Sequence, residues 1–164
     1  MAPQVGLGTD VSGGFSISML TAIQHASVAS KLVTLHHPCP SDASFASKHL
    51  SISTLLYLAT QGGADVCNIS TRTGSLDPGK AFDALVVSVV DSAGNPAVWG
   101  SDLDRELGIN RWKAEEGGMR KTEAEKQKEE LEAMLERFMF CGDDRNIRRV
   151  YVQGRFIGGK EFNA

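Results

Sequence analysis

The sequence predicts an α/β protein, and three observations carry that prediction. Val5 and Leu7 alternate with Gly6 and Gly8, pass through Thr9-Asp10 into the turn Ser12-Gly13-Gly14, and lead into a helical repeat. The apolar stretch 84–90 follows the turn-forming segment Gly74-Ser75-Leu76-Asp77-Pro78-Gly79-Lys80 and reads as a well-buried strand. Near the end, Val150-Tyr151-Val152 and Phe156-Ile157 flank a short loop containing Gln153-Gly154, which is a hairpin signal. At 164 residues the chain suits one ordinary domain or a piece of a larger one.

Taken in order, the first element is a short buried strand around Val5–Leu7, and Phe15, Met19, Ile23 and Ala26 then predict a helix over about 16–31. A single β/α unit of this kind cannot bury both faces of its strand alone. Pro38 and Pro40, among small polar residues, make 36–47 a loop. A second helix begins near Ser51, carries Leu55, Leu56 and Leu58, and stops before Gly62-Gly63. A short helix over 64–67 ends at Asn68 in a left-handed conformation. Asp91 to Pro96 is a further turn. In the Lys- and Glu-rich stretch 113–140, Leu131, Met134, Leu135 and Phe138 form an apolar stripe at helical spacing. This predicts a helix over 122–140 whose first half is exposed, with Lys126–Glu130 and Lys128–Glu132 paired along it. No internal repeat is visible, and the stripe is too short for a coiled coil.

Composition narrows the function classes. Lys plus Arg is 17 and Asp plus Glu is 20, a net charge of −3 that makes no case for nucleic acid as a partner. No apolar run approaches the roughly 18 residues of a membrane span. The first basic residue is Lys31, so no charged start to a secretory signal is present. Cys39, Cys67 and Cys141 stand far apart with no CxxC pair, which favours reduced thiols and a cytoplasmic setting.

Asp10 is the most informative residue for chemistry. It ends the first predicted strand just before a Gly-rich turn, and a carboxylate at such a strand end can ligate a metal or accept a proton from water. The plainer alternative is that Asp10 caps the next helix or stiffens the turn. The run Gly6-Leu7-Gly8-Thr9-Asp10-Val11 fails the dinucleotide pattern, because Val11 stands where the third Gly belongs. His25, His36, His37 and His49 show no HxH or HxxxH spacing, and packing or exposure explains each more simply than ligation. The HxE…PCxxC pattern of cytidine-type zinc deaminases is absent. In Gly142-Asp143-Asp144-Arg145-Asn146, Gly142 reads as a helix terminator and the Asp pair as ligands of local amides. Lys80 reads as a turn residue before a strand.

Several blocks together carry a resemblance. Val5-Gly6-Leu7-Gly8-Thr9-Asp10-Val11-Ser12-Gly13-Gly14-Phe15-Ser16 resembles the last barrel strand and following helix of the guanine deaminases of the amidohydrolase superfamily. Leu58-Ala59-Thr60-Gln61-Gly62-Gly63-Ala64 resembles the next helix of that family. The segment from Gly74 to Val87 resembles the superfamily's re-entry into its small β-sandwich, and Phe140-Cys141-Gly142-Asp143-Asp144-Arg145-Asn146-Ile147 with Val150-Tyr151-Val152-Gln153-Gly154 resembles the family's tail.

The resemblance implies a partial TIM barrel, its last β/α unit and following helices, plus part of a small β-sandwich domain. It divides the chain into barrel-derived 1–73, sandwich strands 74–100, an insertion and charged helix 101–141, and a closing hairpin 142–164. It implies hydrolysis of guanine to xanthine and ammonia by zinc-activated hydroxide, with guanine as substrate and a homodimer for the complete enzyme. Asp10 matches the family's metal-ligating Asp, which also relays protons. The family's HxH pair, later His ligands and catalytic Glu lie upstream of the matched stretch. Asp10 alone cannot hold zinc, so the isolated chain is expected to be inactive. Two other readings stand beside this one: a non-catalytic interaction fragment derived from an amidohydrolase, and an amidohydrolase with another substrate.

Overall fold

A computed structural model describes residues 4–35, 49–90, 93–98 and 122–163. The predicted loop 36–47, His36-His37, Cys39 and the stretch 101–121 lie outside the described residues. The chain divides into two compact units, Met1–Ala84 with Tyr151–Phe156 and Leu85–Val150 with Ile157–Ala164.

In the first unit, residues 4–10 form no strand, contrary to the reading of Val5–Leu7. A strand is defined by its ladder, and among the described residues the one backbone bond from this segment to another element is Leu7's, its amide donating to Leu58 O at 2.9 Å. Helix α1 spans Met19–Leu35, starting and ending later than the predicted 16–31, and Phe15 lies outside it. The Ser18 amide donates to Ser16 Oγ at its entrance. Helix α2 spans Ile52–Ala59 and is capped by Ser51, whose Oγ accepts from the Thr54 amide at 3.2 Å.

Helix α3 spans Gln61–Val66 and runs through Gly62-Gly63 rather than beginning after them. Asn68 then adopts φ +56°, as expected of a left-handed terminator, and the Ile69 amide reaches back to Ala64 O. Ile23, Leu55 and Ala64 are buried here, together with the hydroxyl residues Ser27 and Thr34 of α1. The Thr34 hydroxyl is satisfied locally. Ser30 Oγ donates to Ser27 O, Thr34 Oγ1 donates to Ser30 O, and Ser30 Oγ accepts from the Leu50 amide.

Strands β1 (Ala84–Val87), β2 (Ile147–Val152) and β3 (Arg155–Gly158) form one sheet in that order. The Ser88 amide donates to Asn146 O and the Gly154 amide to Phe82 O, so β1 and β2 run antiparallel. The hairpin turn is as the sequence predicts. Gln153 and Gly154 have φ of +49° and +76°, the pair of left-handed residues that a type I′ turn needs. Strand β1 is shorter than the predicted 84–90 and is not well buried, since Leu85, Val86 and Val87 stay exposed. A three-stranded sheet offers few neighbours to cover them. The hairpin tip is held by Asp83, whose Oδ1 accepts from the Gln153 amide and Oδ2 from Thr73 Oγ1, both at 2.7 Å. Phe82 meets Tyr151 edge-on at 5.5 Å, and Tyr151 tilts against Phe156 at 5.6 Å.

In the second unit, helix α4 spans Glu123–Cys141. Thr122 and Glu125 close a capping box, Oγ1 accepting from the Glu125 amide and the Glu125 carboxylate accepting from the Thr122 amide. The first half is exposed, as predicted. Lys128 pairs with Glu132 at 3.7 Å, but Lys126 pairs with Glu123 at 2.5 Å rather than with Glu130, because the carboxylate one turn earlier is nearer. The expected apolar stripe is corrected too. Leu131 and Met134 remain exposed, and the side chain driven inward is Met139, at 1% exposure. Gly142 ends the helix, where a Cβ would collide with Phe138 O.

Ala93, Val98 and Met139 are buried around a polar center. Asn146, 0% exposed, donates to Ser88 O and accepts from Asn95 Nδ2 at 2.7 Å and from the Asp143 amide at 3.0 Å. Asn146→Ala should therefore lower the unfolding free energy by about 2 kcal/mol in urea titration, since it removes three hydrogen bonds made by one fully buried side chain. The Gln153 amide and then the Thr73 hydroxyl hold the Asp83 carboxyl below the usual carboxylate range. A lowered folded pKa stabilises above the unfolded value of about 3.9 and is lost as pH falls through the folded value. Stability should thus fall below about pH 4, and Asp83→Asn should flatten that decline in pH-dependent thermal melts.

Candidate active site

The segment that carries Asp10 is seated by glycines. The chain at Gly6 lies so close to the α2–α3 junction that a Cβ there would stand 2.8 Å from Gly63 Cα, and one on Gly62 would stand 2.9 Å from Val5 O. With the Leu7–Leu58 hydrogen bond, this fixes residues 5–7 against the helix junction. From there the chain turns sharply. Asp10 takes φ +46°, its carbonyl accepts from the Gly14 amide, and a Cβ on Gly14 would collide with Thr9 O. Gly13 lies against the Asp10 carboxylate, 3.1 Å from Oδ2 to the place a Cβ would take. Asp10 is exposed, and among the described residues its side chain enters no hydrogen bond or ion pair. It therefore does not cap α1, which begins nine residues later.

The structure does not bring Asp10 together with other ligating groups. Among the described residues no three His, Cys, Asp or Glu side chains lie close enough to hold a metal. His25 is an exposed residue of α1 whose ring tilts against Phe15 at 5.2 Å. Both rings border a shallow depression of about 300 Å³ with Leu7, Thr9 and Ala22, which Asp10 does not line. Arg145 is committed to Asp143, whose carboxyl it holds below its ordinary range, and so stays structural.

Two groups escaped the sequence reading. Gly62-Gly63 read as a helix stop, yet they form the floor on which Gly6 rests. The signal available was the pairing of glycine-rich blocks at 6–14 and 62–63. Lys80 read as a turn residue, yet its Nζ donates to Gln61 Oε1 at 3.2 Å. Gln61 Nε2 in turn donates to Asp65 Oδ1, and Tyr57 OH donates to Asp65 Oδ2. This network braces α2 and α3 below the glycine seat. The Asp65 carboxyl is lowered, first by the Ser70 hydroxyl and then by Tyr57, and Asp65 in turn raises the Tyr57 phenol.

Comparison with known proteins places this arrangement. Residues 3–157 match the model of the Amidohydrolase family, and the chain belongs to that family. It is 34% identical over 162 residues to a protein named "Probable guanine deaminase" in Schizosaccharomyces pombe, covering 98% of this chain and 24% of that protein. It is 32% identical over 154 residues to guanine deaminase of Mus musculus, covering 94% and 27%. The crystal structure of guanine deaminase from C. acetobutylicum with bound guanine in its active site aligns with a TM-score of 0.57 and 27% identity, over 94% of this chain and 27% of that one. The chain thus spans about a quarter of the length of these relatives.

If the glycine seat positions the segment, size at Gly6 matters and size at Gly8, with open space around it, does not. Gly6→Ala should cost about 1–3 kcal/mol by overpacking. Gly8→Ala should stay within about 0.5 kcal/mol. Urea midpoints of the two variants, measured side by side, check this.

Proposed function

We propose that the chain is the C-terminal segment of a guanine deaminase, the enzyme that converts guanine and water to xanthine and ammonia. In this reading the first unit derives from the last β/α unit and following helices of a TIM barrel, and the sheet from a small β-sandwich. The observation that carries it is Asp10, an exposed carboxylate without a side-chain partner among the described residues, set at a sharp turn in a family match that spans 3–157. The relatives' names and the guanine-bound relative support guanine as the substrate.

A carboxylate so presented fits one oxygen position of a zinc site, whose bonds run about 2.0–2.2 Å. Catalytic zinc takes three protein ligands, so the others would come from the part of the relatives that this chain does not match. Zinc, when bound, supplies Lewis acidity that brings the deprotonation of water near neutral pH. The task of this chain is then proton handling at Asp10 Oδ. The carboxylate accepts a proton from the attacking water, and passes it to the departing amino group as the C–N bond breaks, so ammonia leaves neutral. The left-handed backbone at Asp10 and the small Gly13 beside it leave the carboxylate open for this task. Free, exposed Cys67 and Cys141 support a cytoplasmic setting for this chemistry.

Asp10→Asn in the complete enzyme should lower kcat for guanine about 10³-fold with an unchanged circular dichroism spectrum, because an amide has neither charge nor basicity to offer. Guanine loss followed by ultraviolet absorbance measures it. Near-normal turnover would reduce Asp10 to a turn residue. The same assay on the purified 164-residue chain should show no turnover.

A further inference from the structure

Helix α4 has two uncharged faces, and the interior of its unit covers one of them. On that inward side Met139 is buried and Leu135 half-buried. The second face runs beside it through Ala124, Gln127, Leu131, Met134, Phe138 and Cys141, spaced alternately three and four residues apart. Such spacing keeps one line along a helix, here for about five turns. Leu131 and Met134, the large side chains at its middle, are 63% and 41% exposed. Ala124, Gln127 and Cys141 are exposed as well. Among residues 123–132 every position off this line is charged, and the uncharged Ala124, Gln127 and Leu131 all fall on it. A helix face that meets water alone has no need to keep one line free of charge.

The charges beside the line identify what it meets. Lys126 pairs with Glu123, and Lys128 with Glu132, within the helix. Glu130 and Arg137 flank the line on the side away from Met139, and among the described residues neither has a hydrogen-bond or ion-pair partner. One is an acid and the other a base, seven residues apart, so the edge is complementary to a reversed copy of itself. With Leu131 of one helix set against Met134 of an antiparallel second, Glu130 of each helix meets Arg137 of the other. The same register sets Gln127 opposite Phe138 and Ala124 opposite Cys141. A parallel pair offers less. It would set Glu130 beside Leu135, and its ion pair would join Glu123 to Lys128, both already engaged within their own helix.

We infer that α4 is a self-association surface, on which two copies of the chain pair antiparallel along this line. Two Glu130–Arg137 ion pairs close its open edge. The occupant follows from charge. An acidic helix would leave Glu130 facing acid and a basic one would leave Arg137 facing base, whereas a reversed copy satisfies both. Two helices of this length meet over less than the roughly 800 Å² per partner of a standard interface, so the dimer is reversible and of micromolar strength. The pairing rests on α4 alone and does not depend on the role of Asp10.

Sedimentation equilibrium of the 164-residue chain tests this. A monomer–dimer equilibrium should appear. Leu131→Glu, at an exposed site, should weaken it about ten-fold or more while circular dichroism keeps its helix content. Glu130→Arg and Arg137→Glu should each weaken it about five-fold by setting like charges together, and the two combined should restore it to within about two-fold. Crosslinking reads the direction. Positions 124 and 141 of one helix lie about 25 Å apart, far beyond the roughly 7 Å between Cα atoms that a disulfide can span. In a background of Cys39→Ser and Cys67→Ser, adding Ala124→Cys should therefore give an oxidised dimer through Cys141 of the other copy, and Cys141 alone should give none. A chain that stays monomeric throughout the micromolar range, variants that dimerise like the parent, a charge exchange that fails to restore pairing, or an oxidised dimer formed by Cys141 alone would overturn the inference.

Discussion

Two backbones meet where Gly6 lies against Gly62-Gly63, and neither Gly6 nor Gly62 has room for a Cβ. One amide–carbonyl bond, Leu7 to Leu58, accompanies that contact and seats residues 5–7. Three residues further on the chain reverses at Asp10, again through glycines, and the carboxylate is left facing solvent beside Gly13. The helix pair beneath is stiffened by the Tyr57–Asp65–Gln61–Lys80 chain of hydrogen bonds, so a polar brace supports an apolar, side-chain-free contact. Glycine is needed here for close approach more than for flexibility.

The second unit solves a different problem. Its interior is small and contains a buried amide, and Asn146 makes that acceptable by meeting Ser88, Asn95 and the Asp143 amide together. Arg148 and Arg149 both engage Glu161, at 2.5 Å, and close the segment after β3. These are positioning interactions. None of them involves Asp10, on which the proposed chemistry of the chain rests.

What could be read directly from the sequence was local. A helix start near Ser51, Asn68 as a left-handed terminator, the Gln153-Gly154 turn and the helix after Thr122 depend on residues within one turn of each other, and each stands where its chemistry puts it. The strand near Val5 is absent, and the strand predicted over 84–90 is shorter and more exposed, for a common reason. Alternation and apolar runs report how a segment behaves once flanked by neighbours, and a ladder needs a partner strand to exist. Met139 was missed because the stripe rule counts spacing and not which turn of α4 reaches the interior. Gly62-Gly63 was misread because a glycine pair signals helix interruption locally, while its use here is tertiary. The Asp10 assignment came from a pattern of blocks spread over the whole chain, which periodicity alone does not supply.

The account turns on whether the Asp10 carboxylate grips the metal. Anomalous diffraction from crystals of the complete enzyme, collected on both sides of the zinc absorption edge, answers that directly. The account predicts a zinc peak about 2.0–2.2 Å from an Asp10 Oδ. A fully occupied zinc with the Asp10 carboxylate turned away from it would contradict the account.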